Sequence, residues 1–463
     1  MSATVVLDIG KTNAKLTLLS EDGAVLAQER CANTIVDSGP YPHHDTERIW
    51  RWMLATLARF SRQALISAIV PVTHGATAAL IDDDGLVLPI RDYESGLPAL
   101  HRQHYDAMRP RFAETLSPNL PAGLNLGRQL VWLAAQFPEP FRRARHILMY
   151  PQYWAWRLCG VAASEVTSLG CHTDLWDPRQ DTWSSLVRQM DWNDFFPPRR
   201  HAWEALGSLR PEVVAQTGLP SGCAVLCGVH DSNASLLRHL GTTTEAAART
   251  VLSTGTWVIV ASFGTQLGRL REDADMLANV TVTGQPVACM RFMGGREFAA
   301  LAGPAAARCA REDLERLIAR GTLALPSFAE AGGPFVGRTG AIVGPAPASD
   351  GERYALATLY CALMTEYCLG ALDANGQIVV EGSFTANPYF AGVLAALREG
   401  QPVSVSDDAS GTTCGAHMLH RRGAAPALRV TDAEPIALPG LFAYRQRWLA
   451  LIQRESTDRP GRH

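Results

Sequence analysis

Apolar runs that end in short polar turns recur along this chain, and the residues at those ends suit phosphate chemistry. In Asp8-Ile-Gly-Lys-Thr-Asn, Asp8 closes an apolar, β-branched run. A carboxylate there can hold the hydrated Mg²⁺ that accompanies ATP. Gly10 to Asn13 form a tight turn whose backbone N–H groups, with the Thr12 and Asn13 side chains, can cradle phosphate oxygens. Lys11 adds positive charge. The same residues equally suit a plain hairpin turn. Ser253-Thr-Gly-Thr256 repeats the arrangement between two apolar runs, with Thr254, Gly255 and Thr256 as phosphate-facing candidates and a hairpin as the alternative.

Val225 to Leu237 passes from an apolar strand through Gly228 and His230 to Asp231 at a helix start. Phosphoryl transfer to an alcohol needs a carboxylate to orient the hydroxyl and accept its proton. A helix start is expected to depress the pKa of Asp231 and keep it ionised; the plainer alternative is a helix N-cap. His74-Gly75, after another apolar run, can hydrogen-bond hydroxyls or be a satisfied structural pair. Gly382-Ser383 through Asn387 is flexible enough to pass beside a flat nucleoside, or is a simple strand-to-helix loop.

The elements that must position these residues are legible as periodicities. Thr4 to Gly10, Ala14 to Ser20 and Ala24 to Gln28 read as a three-stranded meander. From Asp45 to Gln63 the spacing predicts a helix with Ile49, Trp52, Met53, Leu57 and Phe60 on one face. Leu65 to Val70 follows as a buried strand. The middle, Leu97 to Leu219, is rich in Trp, Arg and Pro, with helices predicted at Gln129 to Gln136 and Tyr153 to Leu158. A second strand-turn-strand begins at Thr250 and a further strand at Gln377. The meander starts near 4 and 250 lie half a chain apart, which suggests two related α/β halves. A frayed polar tail is expected from Glu455.

With 463 residues the chain exceeds one ordinary core, so two domains are expected. A composition of 47% hydrophobic and 19% charged residues argues against disorder. A net charge of -3 without charge blocks gives no sign of a nucleic-acid or membrane-surface binder, and leaves room for a local basic pocket for phosphates. No basic and apolar leader opens the chain, and no apolar stretch approaches a membrane span. The ten cysteines are scattered without CxxC or zinc-finger spacing, so reduced, mostly buried thiols in the cytoplasm are expected. The chain holds no GxxxxGK[ST], HExxH, GxSxG or strand-borne GxGxxG.

In this order, the motifs resemble the FGGY family of carbohydrate kinases. The likeness runs through Asp8-Ile-Gly-Lys-Thr-Asn, Thr73-His74-Gly75 with Asp92, and Ile147 to Leu158. It continues through Gly228-Val-His-Asp231, Ser253-Thr-Gly-Thr256, Glu381-Gly382-Ser383 to Asn387, and Gly411 to Ala416. The resemblance implies an α/β fold of two actin/Hsp70-like (ribonuclease H-like) domains, residues 1–240 and 241–463, with the active site in the cleft between them. It implies Asp8 at the Mg²⁺, and Gly10, Lys11, Thr12, Asn13, Thr254, Gly255 and Thr256 at the ATP phosphates. Gly382, Ser383 and Asn387 would lie by the adenosine. Asp231 would be the general base, and His74, Gly75, Asp92 and His230 would line the sugar pocket with it. Closure would exclude water.

The implied reaction is transfer of the γ-phosphate of ATP to a small ketose: L-rhamnulose, L-fuculose, or a ketopentose such as xylulose or ribulose. A glycerol-type polyol kinase is the alternative, and an actin/Hsp70-like ATPase without sugar chemistry a further one. Partners would be the sugar and ATP, with no nucleic acid or membrane and with a homodimer left open. Two positions depart from the pattern: Gly10-Lys11-Thr12-Asn13 replaces a fuller Gly-Thr-Thr/Ser turn, and Gly415-Ala416-His417 replaces Gly-Ala-Ala. The start resembles rhamnulokinase and fuculokinase branches more than glycerol kinases.

Overall fold

A computed structural model of the chain describes residues 2–240, 248–304, 308–329, 332–406, 411–421 and 428–457. The chain divides into two units. Unit 1 comprises Met1–Thr243, Ala278–Pro286 and Ser410–Ala427; unit 2 comprises Thr244–Leu277, Val287–Ala409 and Leu428–His463. The border expected at 240/241 falls beside residues 241–247, which lie outside the described residues.

In unit 1, β1 (Ser2–Ile9), β2 (Asn13–Leu19) and β3 (Val25–Ala32) form the expected antiparallel meander, with the third strand ending four residues beyond the Gln28 its alternation suggested. β1 is buried along almost its whole length because β4 (Leu65–Thr73) pairs with its other edge in parallel. β5 (Ala224–Leu226) and β6 (Val229–His230) pair in turn with β4, again in parallel. The helix α1 (Thr46–Phe60) starts where Asp45 accepts a hydrogen bond from the Arg48 N–H at 3.1 Å. Its apolar face, Ile49, Met53, Leu57 and Phe60, packs on the sheet with Trp52 at the margin. α2 (Tyr150–Cys159) completes that core through Tyr150, Tyr153, Trp154 and Leu158 and stops at Gly160 in the left-handed conformation. α3 (Asp231–Leu237) leaves the end of β6.

Unit 2 repeats the topology. β7 (Arg249–Thr254), β8 (Val258–Phe263) and β9 (Pro286–Phe292) are an antiparallel meander. The first of these pairs in parallel with β10 (Gln377–Gly382), which pairs in parallel with β11 (Val403–Ser406). β7 thus corresponds to β1, β10 to β4 and β11 to β5. This is the duplicated, ribonuclease H-like α/β arrangement that the spacing of the two meanders suggested. α4 (Gly294–Ala302) follows β9, and α5 (Asp350–Ala371) precedes β10. At the C-terminus the helix Leu441–Thr457 runs past Glu455, where the sequence suggested a frayed tail; residues 458–463 lie outside the described residues. Most cysteines are buried and none forms a disulfide. Among the described residues, no helix is long and apolar enough to cross a membrane.

Candidate active site

Parallel pairing decides which residues meet in unit 1. Ile9 of β1 and His230 of β6 both lie opposite Thr73 of β4. The carboxyl ends of three neighbouring strands therefore deliver the Asp8 turn, His74-Gly75 and His230-Asp231 to one edge of the sheet. In open α/β sheets this edge is where ligands bind.

Asp8 stands directly across from Lys15 in the β1–β2 register, and the Lys15 Nζ lies 3.0 Å from its Oδ2. Burial raises the Asp8 pKa, Lys15 opposes that rise, and the charge of Asp231 adds to it. The turn itself is built on the Gly10 N–H donating to the Asn13 carbonyl at 2.9 Å, with the Asn33 amide donating to the Gly10 carbonyl. Thr12 and Asn13 project into solvent, where an anion can reach them. Lys11, expected to face phosphate, turns instead to Asp92 at 2.5 Å and Glu94 at 3.4 Å, above the Tyr93 ring. Asp92 is thereby tied to the Gly10–Asn13 turn.

Asp231 is the first residue of α3, not its cap, which is His230. Its Oδ1 accepts from the Ser232 N–H at 2.6 Å and the Ser232 hydroxyl at 3.2 Å, and the His230 Nε2 lies 3.2 Å from the same oxygen. A pKa depressed by the helix start was expected. The opposite holds: burial pushes the carboxyl up, and His74 and the Ser232 bonds only partly offset it. One short helix does not outweigh desolvation. Burial also holds His230 neutral, with its pKa lowered to about 4. The His230 backbone N–H donates to the Thr167 hydroxyl at 3.0 Å, and that hydroxyl donates to the buried Glu165, whose own pKa burial raises to about 7.

His74 donates from Nδ1 to the Gly75 carbonyl at 3.0 Å, so its Nε2 is a lone-pair acceptor, buried and without a described partner. A side chain cannot be added at Gly75, because a Cβ would lie 2.9 Å from the His230 Nε2. His44 was not singled out in the sequence. It is buried against His74, with ring centroids 5.3 Å apart, and neither of its ring nitrogens has a described partner. Tyr93 and Tyr150 flank His74 at 5.4 and 5.1 Å. The only signal was a His43-His44 pair just ahead of the α1 cap, which an unaided reading passes over.

Unit 2 presents the matching turn. The Gly255 N–H donates to the Trp257 carbonyl at 2.8 Å, Thr256 is exposed, and the Gly295 N–H at the start of α4 donates to the Thr256 carbonyl. Thr254 is buried and lies opposite Gly382. Its hydroxyl donates to the Glu381 carbonyl and accepts from the Phe384 N–H at 2.9 Å, so it clamps two neighbouring strand ends together. Gly382 has φ +85°, and a Cβ there would lie 2.0 Å from the Thr254 carbonyl oxygen, a position only glycine can hold. Ser383 is exposed beside it. Asn387 is buried and fully engaged: it donates to the Thr358 hydroxyl and accepts from the Tyr389 and Phe390 N–H groups. It shapes the segment that follows Gly382.

Residues 3–238 match the model of the FGGY family of carbohydrate kinases, N-terminal domain, and residues 246–428 that of the carbohydrate kinase FGGY, C-terminal domain. The solved structure of a carbohydrate kinase from Novosphingobium aromaticivorans is 36% identical, with 98% of this chain and 99% of that one covered and a TM-score of 0.92. A xylulose kinase from Rhodospirillum rubrum is 19% identical over 98% of this chain and 99% of its own, with a TM-score of 0.79, a likeness of fold. An L-fuculokinase from Salmonella typhi is 26% identical over 271 residues, 55% of this chain and 55% of its own. The chain spans about half the length of the curated relatives it matches. Matched in both halves, and more than a third identical to a carbohydrate kinase along its whole length, this chain belongs to the FGGY family of carbohydrate kinases.

Proposed function

We propose that this protein is an ATP-dependent kinase of a small ketose, with Asp231 as the general base. The observation that carries the reading is the Asp231 carboxylate. One of its oxygens is tied down by Ser232 and His230, a third of the side chain is open to solvent, and buried neutral imidazoles stand beside it. Burial makes a carboxylate a better proton acceptor by raising its pKa, and the fixed oxygen holds it in position. His74 Nε2 and the two unpartnered nitrogens of His44 supply acceptor and donor groups for sugar hydroxyls. Tyr93, half-buried beside His74, offers a ring face to the carbon skeleton.

Asp8 fits a Mg²⁺ that arrives with ATP. That cation keeps several waters and needs only one or two carboxylates besides the phosphates. Asp8 would hold it through oxygen, Lys15 setting the carboxylate's orientation, and the ion when bound neutralises phosphate charge. The Gly10–Asn13 turn in unit 1 and the Gly255–Thr256 turn in unit 2 would bind phosphate through their N–H groups and exposed hydroxyls. Gly382 and Ser383 would pass beside the adenosine. Thr254 and Asn387 would serve by shaping that surface, and Lys11 by linking the turn to the sugar side through Asp92. The Tyr93 ring and the likeness to L-fuculokinases favour a 6-deoxy-ketohexose, with ketopentoses next. ATP as co-substrate puts the reaction in the cytoplasm.

The test is ADP release with MgATP over L-fucose (the aldose control), L-fuculose, L-rhamnulose, xylulose, ribulose and glycerol. Release with one ketose well above the ATP-only rate is the expected result. Release with glycerol alone would assign a polyol kinase, and release independent of any acceptor would make the protein an ATPase.

A further inference from the structure

A chain of four residues behind the base fixes the direction of each hydrogen bond in turn. It begins with a backbone N–H, which can only donate. The Val280 N–H donates to the Asn279 Oδ1 at 2.9 Å, so that oxygen is an acceptor and the Asn279 amide cannot be turned round. The Asn233 Nδ2 lies 3.0 Å from the same oxygen and must be the donor. That Nδ2 also lies 3.0 Å from the His230 Nδ1. Its two hydrogens go to the two nearer acceptors, Asn279 and His230, with the Thr167 carbonyl farther off at 3.5 Å. Nδ1 of the neutral imidazole is then the lone-pair nitrogen, and the ring proton sits on Nε2, which faces the Asp231 Oδ1 at 3.2 Å. Asn233, Asn279 and His230 are all buried, so no bulk water competes for these bonds.

With His230 donating, three donors converge on Oδ1, the other two being the Ser232 N–H and hydroxyl. No described residue donates to Oδ2. We infer that Asn279 and Asn233 lock His230 in its Nε2–H tautomer, so that Asp231 is anchored by Oδ1 and receives the substrate proton at Oδ2. This rests on the kinase reading for the identity of the proton. The sugar O–H bond breaks and its proton goes to Oδ2. The oxygen's electron pair forms the new bond to the γ-phosphorus as the bond to the bridging oxygen of ADP breaks. Asn279 and Asn233 touch neither substrate nor the reacting atoms; they are positioning residues. The other titratable groups facing the base are His74, Asp8 and Tyr93, and none of them contacts Asn233 or Asn279 among the described residues.

The tautomer is read directly from ¹⁵N-histidine spectra of the ligand-free protein, with the His230 signals assigned by their loss in His230→Gln. The structure requires a protonated Nε2 and a bare Nδ1. A protonated Nδ1 overturns the inference, whatever the enzyme's activity. Asn279→Leu frees the Asn233 amide to turn. It should give mixed tautomers and a kcat lower by about 10- to 100-fold, with the KM for MgATP unchanged. Asn279→Asp keeps an oxygen for both donors and should restore the single tautomer. A single Nε2–H tautomer and full kcat in Asn279→Leu would equally overturn it. If that variant does not fold, the wild-type spectrum alone decides. Because the spectra need no turnover, a protein that phosphorylates no sugar would sink the kinase reading and leave the tautomer result standing.

Discussion

Asp231 carries its charge where the fold makes charge costly, and this has a consequence for stability that can be signed. Burial raises its pKa above the ordinary 3.8. The folded state therefore holds that proton more tightly than the unfolded chain does. The group's contribution to stability is complete below the unfolded value and is lost as pH rises through the raised folded value. Near neutral pH the ionised carboxylate is a liability that function retains. Asp231→Asn should accordingly melt at a higher temperature than the wild type near neutral pH, and the gap should close as pH falls toward 3.8. A variant less stable at neutral pH would show that the carboxylate is held by stronger bonds than those described. His44 makes a second case. Its two unpartnered buried nitrogens cost the fold and would be satisfied by a sugar. His44→Phe should raise the KM for the ketose by the equivalent of about 1–3 kcal/mol while leaving the KM for MgATP and the folded state intact. An unchanged ketose KM in steady-state kinetics would remove His44 from the pocket.

At the scale of elements, the Gly10–Asn13 and Gly255–Thr256 turns depend on strand ends held in register. Gly382 ends β10 with a backbone that no other residue tolerates, pressed against the Thr254 carbonyl. Gly382→Ala should destabilise the protein by about 1–3 kcal/mol through strain and displacement of the strand end. It should also weaken ADP binding in calorimetry more than sugar binding; equal loss of both would mean the whole fold has failed. The same scale shows what the sequence could reveal. The meander and α1 were legible because one face of each is buried, which leaves alternation or a helical stripe. α5 was not, because it is buried nearly all round and a helix apolar on every side has no period. Asp8, His74 and Asp231 stand out in the sequence because each lies where an apolar run ends in a recognisable turn, and the strand pairing brings their segments to one sheet edge. Asn279 was not, because it reaches Asn233 from 46 residues away, through a pairing that no local pattern encodes. Lys11, Thr254 and Asn387 were read as ligand contacts, and the structure shows each bonded within its own unit. Residue type gave the chemistry they can do, and the partner was decided by packing.

At the scale of the whole molecule, the repeated topology explains why the chain carries two phosphate-suited turns but one base. The turn after the first strand recurs in both units, as Gly10–Asn13 and Gly255–Thr256. The strands that pair in parallel with the first are not interchangeable at their ends: β4 leads to His74 beside His230-Asp231, whereas β10 leads to Gly382 and Ser383. Under the proposed reading, duplication supplies the paired phosphate-suited turns, and divergence at the strand ends leaves the base in one unit and the nucleoside-facing segment in the other. The account therefore stands or falls on whether turnover passes through Asp231. The deciding measurement is MgATP-dependent ADP release with the preferred ketose, compared between the wild type and Asp231→Asn. Turnover lower in the variant by about 10²- to 10⁴-fold, with MgATP binding retained, is the predicted result. Undiminished turnover in Asp231→Asn would contradict it.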